Sequence, residues 1–436
     1  MTAEIAIMNK EAVALATDSA VTTVQERGQK IFTSANKLFT LSKYCPVGIM
    51  IYGNANLLDV PWETIIKIYR RKLGSNNFNT LKEYADNFIS FLDGNNMLFT
   101  DKQQEEYLFR STLSYFAFLR KDIGKKVESI INDQKKILED QVKIIITNVI
   151  QDHFDKIEKQ EKLPSIPEDH TKTIINKYEP IIKKAIETIF EQLPISTENM
   201  NLLVDIGAKL FSKIIFPSDI SGIVIAGFGE GDIFPHLKSF DIDGLINNKL
   251  KYVEKISGDV TVQNRATIIP FAQREMVNTF MEGTDPSLQT FIQGYLTEIF
   301  EKYPDIIIGN IEKLNDDEKK TLKEKLKKES KNILNNMEKD LSKIKRQNYI
   351  APIIDVVAML PKDELAAMAE SLVNLTLFKR RVSMDAETVA GPIDVALISK
   401  GDGFIWIKRK HYFEQELNPQ FFNNYYREVS DEKKQQ

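Results

Sequence analysis

The chain alternates between short segments with strand-like periodicity and long segments with helical periodicity. At its start, Ile5 and Ile7 alternate with polar or small residues, and the apolar run 12–16 follows turn-forming residues at 9–11. Alternation, a turn and a buried run in this order predict a β-hairpin. Residues 22–28 are polar and are predicted to form a loop.

Later apolar runs predict more strands, because they are short and rich in β-branched or aromatic residues. They cover residues 30–32, 37–41, 47–52, 222–229, 240–244 and 250–253, with a final hairpin at 393–398 and 403–407. Apolar residues at helical intervals predict helices between these strands. The helical segments are 61–92 with a second start at 79–80, 103–216 with a break at 163–167, 271–346, and 360–377.

The order of these elements predicts the fold class. Strands, two helices, strands, two helices and strands are expected to build an α+β protein, a four-layer α/β/β/α sandwich with two helical insertions. The predicted segments are 1–98 (first half of the core), 99–216 (helical insertion), 217–286 (core strands and helix), 287–349 (charged helical insertion), 350–412 (last core helix and strands) and 413–436 (tail). The charged run from Asp316 is interpreted as a solvated helix face, with contact to a partner as the alternative.

The composition excludes several classes of function. Of the 436 residues, 42% are hydrophobic and 28% are charged, and the net charge of −4 gives no overall attraction to nucleic acid or to an anionic membrane. No apolar run approaches the roughly 18 residues of a membrane span, and no secretory leader is visible. Cys45 is the only cysteine and the four histidines are scattered, so neither a disulfide nor a zinc site is expected. A cytoplasmic protein without a metal or other cofactor is predicted.

The second residue is the main candidate for chemistry. Removal of Met1 would make Thr2 the N-terminus, and methionine is generally trimmed before a small residue. An N-terminal threonine can be nucleophile and base together, because its hydroxyl attacks a carbonyl while its own α-amine accepts the proton. The ordinary pKa of an α-amine, about 7.7–8.0, lies near the useful range for a general base.

An ordered set of segments supports this candidate. It comprises Thr2, the strand at 12–19 that ends in Asp18-Ser19, a lysine strand at 37–41, the turn at 52–55, the glycine- and aspartate-containing stretch at 226–244, and the segment at 384–391. Together they resemble the proteasome β-subunit and the bacterial two-component protease of the same fold, both N-terminal nucleophile (Ntn) hydrolases. The resemblance covers roughly half of the chain and implies a proteasome-like Ntn-hydrolase core with large helical insertions.

The resemblance implies a role for each matching residue. Thr2 would be the nucleophile, and Asp18, sixteen positions later, would pair with a lysine that lowers the pKa of the threonine hydroxyl. Lys37 fits this lysine, and Lys30 in a similar Lys-Ile-Phe run is the alternative; the distance from Lys37 to Gly53 suits the family spacing better. Gly53 would donate a backbone N–H to the oxyanion.

The match is weaker near the C-terminus. The resemblance implies that Asp385 and Thr388 orient the α-amine, but the family has serine where Thr388 stands, followed directly by glycine. The family's Gly-Ser-Gly segment has no clean counterpart; 270–273 is the equivalent stretch, with Gln273 in place of the serine. These departures allow for altered or lost activity.

Other motifs give weaker signals. The glycine-rich segment 227–232 follows a strand, but no amphipathic helix opens after it, so a nucleotide site is not predicted. Asp241 and Asp243 in a turn are a weak cation candidate, and the region 385–394 is another.

The sequence therefore predicts an N-terminal threonine hydrolase, a proteasome-like peptidase that acts through an acyl-enzyme on Thr2 after Met1 removal. The alternatives are a catalytically inactive scaffold or binding module of the same fold, and a small-amide hydrolase of the same mechanism. Expected partners are a peptide or protein substrate, further copies of the chain in a dimer or ring, and an unidentified regulatory or unfolding partner. The helices of 103–216 are candidates for a lid.

Overall fold

The computed structural model describes residues 2–25, 28–311, 315–384, 389–414, 416–421 and 423, without the side chains of residues 22–25, 28, 29 and 134. The strands are β1 (Ala3–Asn9), β2 (Ala12–Thr17), β3 (Val21–Gln25), β4 (Gly28–Phe32), β5 (Leu38–Thr40), β6 (Val47–Gly53), β7 (Asn56–Leu57), β8 (Val60–Pro61), β9 (Ser221–Gly227), β10 (His236–Ile246), β11 (Lys249–Asp259), β12 (Ala266–Ala272), β13 (Asp394–Ser399) and β14 (Gly403–Lys408). The helices are α1 (Trp62–Leu73), α2 (Leu81–Leu92), α3 (Asp101–Gln134), α4 (Glu139–Glu158), α5 (His170–Phe190), α6 (Thr197–Lys209), α7 (Glu275–Glu282), α8 (Pro286–Gly309), α9 (Asp316–Lys345), α10 (Ala351–Val357) and α11 (Lys362–Val382), with a π-helical turn at Arg346–Ile350.

These elements form two compact units of mixed α and β structure. The first, here called the terminal unit, joins Met1–Leu38 to Asp259–Gln436, and the second, the central unit, is Phe39–Gly258. Each unit contains its own five-stranded sheet and its own hydrophobic core.

The sheet of the terminal unit has the strand order β12-β1-β2-β13-β14. Helix α11 packs across β1, β2 and β13, and the side chains of the β2 residues that contact it are small. Ala12, Ala14 and Ala16 alternate along β2 and share the core with Leu365 and Ala369 of α11. Because alternate strand residues face the same side, this run of alanines lets the helix lie close to the sheet.

The sheet of the central unit has the order β11-β10-β9-β6-β5, and the helices α3 to α6 pack on one another beside it. Helix α2 begins with a capping box, in which the Thr80 side chain accepts from the Glu83 N–H and the Glu83 carboxylate accepts from the Thr80 N–H. Such a box satisfies backbone N–H groups that a helix start leaves unpaired. Helices α3 to α6 bury apolar residues in the core of the central unit.

Most of the predicted elements are confirmed, but two predictions near the terminal sheet are wrong. The loop predicted over 22–28 is wrong at residues 22–25 and 28, because β3 pairs with β4 from Val21 opposite Phe32 to Gln25 opposite Gly28; residues 26 and 27 lie outside the described residues. Helical structure does not start at Phe271 either: β12 extends to Ala272, and α7 starts at Glu275. Pro270 concealed this strand, and it is tolerated because β12 lies at the sheet edge, where one side of the strand needs no partner.

Among the described residues, no helix combines the length and the apolar composition needed to cross a bilayer.

Candidate active site

Thr2 lies where three strands of the terminal unit end together. β1 starts one residue after it, and β1 pairs with β12 on one side and with β2 on the other. The Gln273 N–H donates to the Thr2 carbonyl at 3.1 Å, and the Asp18 N–H donates to the Ala3 carbonyl at 3.1 Å. Antiparallel pairing thus fixes the backbone of residues 2 and 3 between the ends of β12 and β2.

The Asp18 carboxylate is held by the backbone around it. Its Oδ1 accepts from the Ala3 N–H at 3.0 Å, and its Oδ2 accepts from the N–H groups of Ala20 at 3.0 Å and Ala390 at 3.3 Å. The side chain is fully buried. A buried carboxylate with these donors is fixed in position next to Thr2.

Lys37 joins the carboxylate to the threonine. Its ammonium donates to Asp18 Oδ1 at 2.8 Å and to Thr2 Oγ1 at 3.1 Å. Both charges are buried, and such a pair is stable only because each charge balances the other. The arrangement places a positive charge at hydrogen-bond distance from a hydroxyl that could act as a nucleophile.

Two loops hold this group in place. The Ala35 N–H donates to the Ser19 carbonyl at 3.0 Å, which ties the segment before Lys37 to the end of β2. The Ser19 hydroxyl donates to the Pro392 carbonyl at 2.5 Å. Gly391 has φ +84°, and a side chain there would place its Cβ 2.3 Å from the Thr33 carbonyl oxygen, so only glycine fits.

Glu4 is a member of the site that the sequence analysis missed. Its carboxyl is almost fully buried, Oε1 lies 3.1 Å from the Thr17 hydroxyl, and Oε2 has no hydrogen-bond partner. Burial raises the pKa of this carboxyl well above its ordinary value; Lys37 opposes the rise and Asp18 adds to it. The sequence offers a partial signal, since Ala6 and Met8 on the same face of β1 are apolar, but the burial of that face is seen only in the structure.

The remaining predicted residues are Lys30, Gly53, Gln273, Asp385 and Thr388. Lys30 is exposed on β4, and Asp385 and Thr388 lie outside the described residues. Gly53 ends β6 in the central unit, with φ +78°. The Gln273 backbone N–H donates to the Thr2 carbonyl, and its side-chain Oε1 accepts from Arg380 Nε at 3.0 Å.

The aspartates of the weaker motifs form hydrogen bonds or ion pairs within the protein. In the glycine-rich segment 227–232, the Asp232 carboxylate accepts from the Gly229 N–H at 2.7 Å and from the Leu81 N–H at 2.8 Å, so the segment anchors the start of α2. Asp243 pairs with Lys251 at 2.7 Å, and Asp241 with Lys255 at 3.3 Å. Across the described residues, no cluster of three or more metal-ligating side chains occurs.

The comparisons with known proteins place little constraint on this site. No family model matches the sequence, and no curated protein matches it. One solved structure similar to this chain is the Gly-1 mutant of Anbu from Hyphomicrobium sp. strain MC1, with 9% identity over 100% of this chain and 96% of that chain and a TM-score of 0.27. A TM-score this low does not establish a shared fold or function. The structural basis for a function is the group formed by Thr2, Asp18 and Lys37.

Proposed function

We propose that this protein is an N-terminal threonine hydrolase of the proteasome-like Ntn type, a peptidase that works through an acyl-enzyme on Thr2. The observation that carries the proposal is the 3.1 Å contact between Lys37 Nζ and Thr2 Oγ1, with Asp18 paired to the same ammonium. A buried ammonium stabilises the negative charge that develops on a threonine oxygen during attack on a carbonyl.

The reaction needs a free α-amine on Thr2, which removal of Met1 supplies. Thr2 Oγ1 attacks the carbonyl carbon of the scissile amide, and the α-amine takes the hydroxyl proton and passes it to the leaving amine. The acyl group is then joined to Thr2 as an ester. A water molecule, deprotonated by the same amine, attacks this ester, releases the carboxylic acid and restores the hydroxyl.

The proposal extends to features predicted from the sequence. These are a four-layer α/β/β/α arrangement, self-association, a cytoplasmic location, an oxyanion contact from Gly53 and orienting roles for Asp385 and Thr388. The substrate is proposed to be a peptide; a small amide would undergo the same chemistry, and the pocket shape would decide between them.

An inactive scaffold is the second candidate, and one observation favours it. Thr2 is only 4% exposed, so little of the residue is open to a substrate. In this case the Lys37–Asp18 pair would serve to hold the start of β1.

The test uses untagged protein and a panel of fluorogenic peptide amides. Intact mass establishes whether Met1 has been removed, and the mass after treatment with a peptide epoxyketone shows whether a hydroxyl and its neighbouring amine are both reactive. Thr2→Ala is expected to abolish hydrolysis and labelling because it removes the nucleophile. Thr2→Ser is the matched control, since serine is also small enough for Met1 removal and keeps a hydroxyl.

Each result decides between the candidates. Hydrolysis and labelling by the wild type and Thr2→Ser, but not by Thr2→Ala, support the hydrolase. Hydrolysis that persists in Thr2→Ala shows that Thr2 is not the nucleophile. Wild-type protein with a free Thr2 that neither hydrolyses the panel nor reacts with the epoxyketone supports the scaffold.

A further inference from the structure

Thr17 connects Glu4 to the backbone of Asp18. Its hydroxyl oxygen lies 3.1 Å from Glu4 Oε1 and 3.0 Å from the Asp18 carbonyl oxygen. Glu4 and Thr17 are direct partners in the pairing of β1 with β2, and both side chains are buried. The three groups form a short chain of oxygens that ends at the residue paired with Lys37.

The number of protons shared by these three oxygen groups defines whether Glu4 is neutral or ionised. A threonine hydroxyl has one proton to donate, and a carbonyl oxygen can only accept. If Thr17 donates to the Asp18 carbonyl, both contacts are satisfied only when Glu4 carries a proton and donates it to Thr17. An ionised Glu4 would leave one contact without a proton and would bury a second carboxylate next to Asp18.

We propose that Glu4 is a positioning residue that acts as a neutral carboxylic acid, donating to Thr17 and thereby fixing the Asp18 backbone behind Lys37. The inference rests on the proposed function, because it assigns Glu4 a part in the reaction of Thr2. Glu4 itself touches neither the nucleophile nor the substrate in this scheme.

The charges around Glu4 explain why its neutral form matters. Lys37 and Asp18 are the charged groups that act on it, and a freed Thr2 α-amine would be added to the same end of β1. An ionised Glu4 would compete with Asp18 for the lysine and would oppose the negative charge that develops on Thr2 Oγ1. Ionisation of Glu4 therefore sets an alkaline limit to hydrolysis.

The first measurement is independent of activity. An infrared difference spectrum between the wild type and Glu4→Gln at pH 7 is expected to contain the C=O stretching band of a protonated carboxylic acid, which shifts in D₂O. Glu11→Gln is the matched control, because Glu11 is exposed on the neighbouring turn and its ionised form gives no such band. A Glu4 difference spectrum with only carboxylate bands overturns the proposal.

The second measurement compares kcat across pH for two variants of similar size. In Glu4→Gln the amide N–H still donates to Thr17, so kcat at neutral pH is expected to fall far less than in Glu4→Leu, and the alkaline decline is expected to shift or vanish. Glu4→Leu removes the donor and is expected to lower kcat by about tenfold, the effect of one lost hydrogen bond. Rescue by glutamine but not by leucine distinguishes positioning from packing.

The role proposed for Glu4 and the proposed hydrolase function can fail separately. If Thr2→Ala abolishes hydrolysis but Glu4→Gln leaves the alkaline limb of the wild-type profile in place, the role of Glu4 is wrong and the proposed function stands. If no variant hydrolyses peptides and the protonated band is present, the proposed function and the positioning role are both wrong, although Glu4 is neutral.

Discussion

The Asp18 carboxylate accepts four hydrogen bonds from described residues of the site. Three backbone N–H groups and the Lys37 ammonium point at its two oxygens. Each donor contributes little alone, but together they determine where the lysine charge lies. The lysine in turn determines the environment of the Thr2 hydroxyl.

We expect Asp18→Asn to destabilise the terminal unit and to abolish hydrolysis. The amide has nearly the same shape but leaves the buried Lys37 without a counter-charge, which typically costs about 3–5 kcal/mol. Hydrogen exchange measured by mass spectrometry on β1 and β2 peptides reports the loss locally. Glu63→Gln, which breaks the exposed pair with Lys67, is the control and is expected to have little effect. Equal protection in the two variants would contradict this prediction.

The neutral state of Glu4 also predicts how stability depends on pH. Its pKa is raised on folding, so the folded chain keeps a proton that the unfolded chain releases above about pH 4.3. The contribution of Glu4 is therefore fully present below the unfolded pKa and is lost as pH rises toward the folded pKa. The slope is at most about 1.4 kcal/mol per pH unit.

Urea unfolding of the wild type and Glu4→Gln from pH 4 to pH 8 measures this effect. The free energy of unfolding of Glu4→Gln is expected to rise relative to wild type as pH increases above about 4.5. Curves that stay parallel would mean that Glu4 has the same pKa in both states.

The resemblance to the Ntn hydrolases selected Thr2, Asp18 and Lys37, with Lys30 as the alternative lysine, and the fold brings the first three together. Glu4 was not selected, because a polar residue alternating with apolar ones usually marks a solvent face. Here both faces of β1 are buried. The burial of a face by distant segments cannot be derived from the strand alone.

The end of β6 in the central unit requires glycine, because the backbone there leaves no room for a side chain. Gly53 ends β6 in the left-handed region, and a Cβ there would lie 2.1 Å from the Ile220 carbonyl oxygen. Gly124 in the middle of α3 has no atom within 4 Å of such a Cβ. The same substitution should thus have opposite effects at the two positions.

We expect Gly53→Ala to destabilise the central unit by more than about 2 kcal/mol, from backbone strain plus the clash. Gly124→Ala should stabilise it by about 0.5–1 kcal/mol, because alanine is the better helix former. Urea unfolding in a Trp406→Phe background, which leaves Trp62 as the reporter of the central unit, measures both. An unchanged free energy of unfolding in Gly53→Ala would contradict the predicted backbone strain.

This result also matters for catalysis, because a loss of activity in Gly53→Ala can arise from destabilisation of the fold alone.

The strands that were not predicted from the sequence, β3 and β12, were missed for the same reason. β3 and β12 have weak apolar patterns, the first because it is polar and the second because it contains Pro270. β3 is stabilised by pairing with β4, and β12 by pairing with β1. Local periodicity misses strands that are stabilised mainly by pairing with a neighbouring strand and have a weak apolar alternation of their own.

Within the part of the chain that the structure describes, helix α8 exposes an apolar row. Leu288, Phe291, Tyr295, Ile299 and Tyr303 recur along α8 with exposed side chains. Contiguous apolar surface of this kind is uncommon on proteins that stay monomeric. The row is consistent with the self-association predicted from the sequence.

We expect light scattering and native mass spectrometry of the untagged protein to give a mass above the 50.0 kDa of one chain. Dilution and added salt separate an apolar interface from an ionic one, since salt screens only the latter. A strictly monomeric protein at all concentrations would contradict self-association and any chamber built from several copies.

The terminal unit is assembled from both ends of the chain, and this has a consequence for biosynthesis. Thr2 is held by Gln273, and Asp18 by Ala390, so the site cannot close until almost the whole chain has left the ribosome. At about 5–20 residues per second, translation leaves the start of the chain open for roughly 20–80 s. Met1 is accessible to an aminopeptidase during that interval, whereas folding buries the residue next to it. In the proposed function, the order of synthesis would thus separate two events in time: Met1 would be removed first, and the Lys37–Asp18 pair would form beside Thr2 only afterwards.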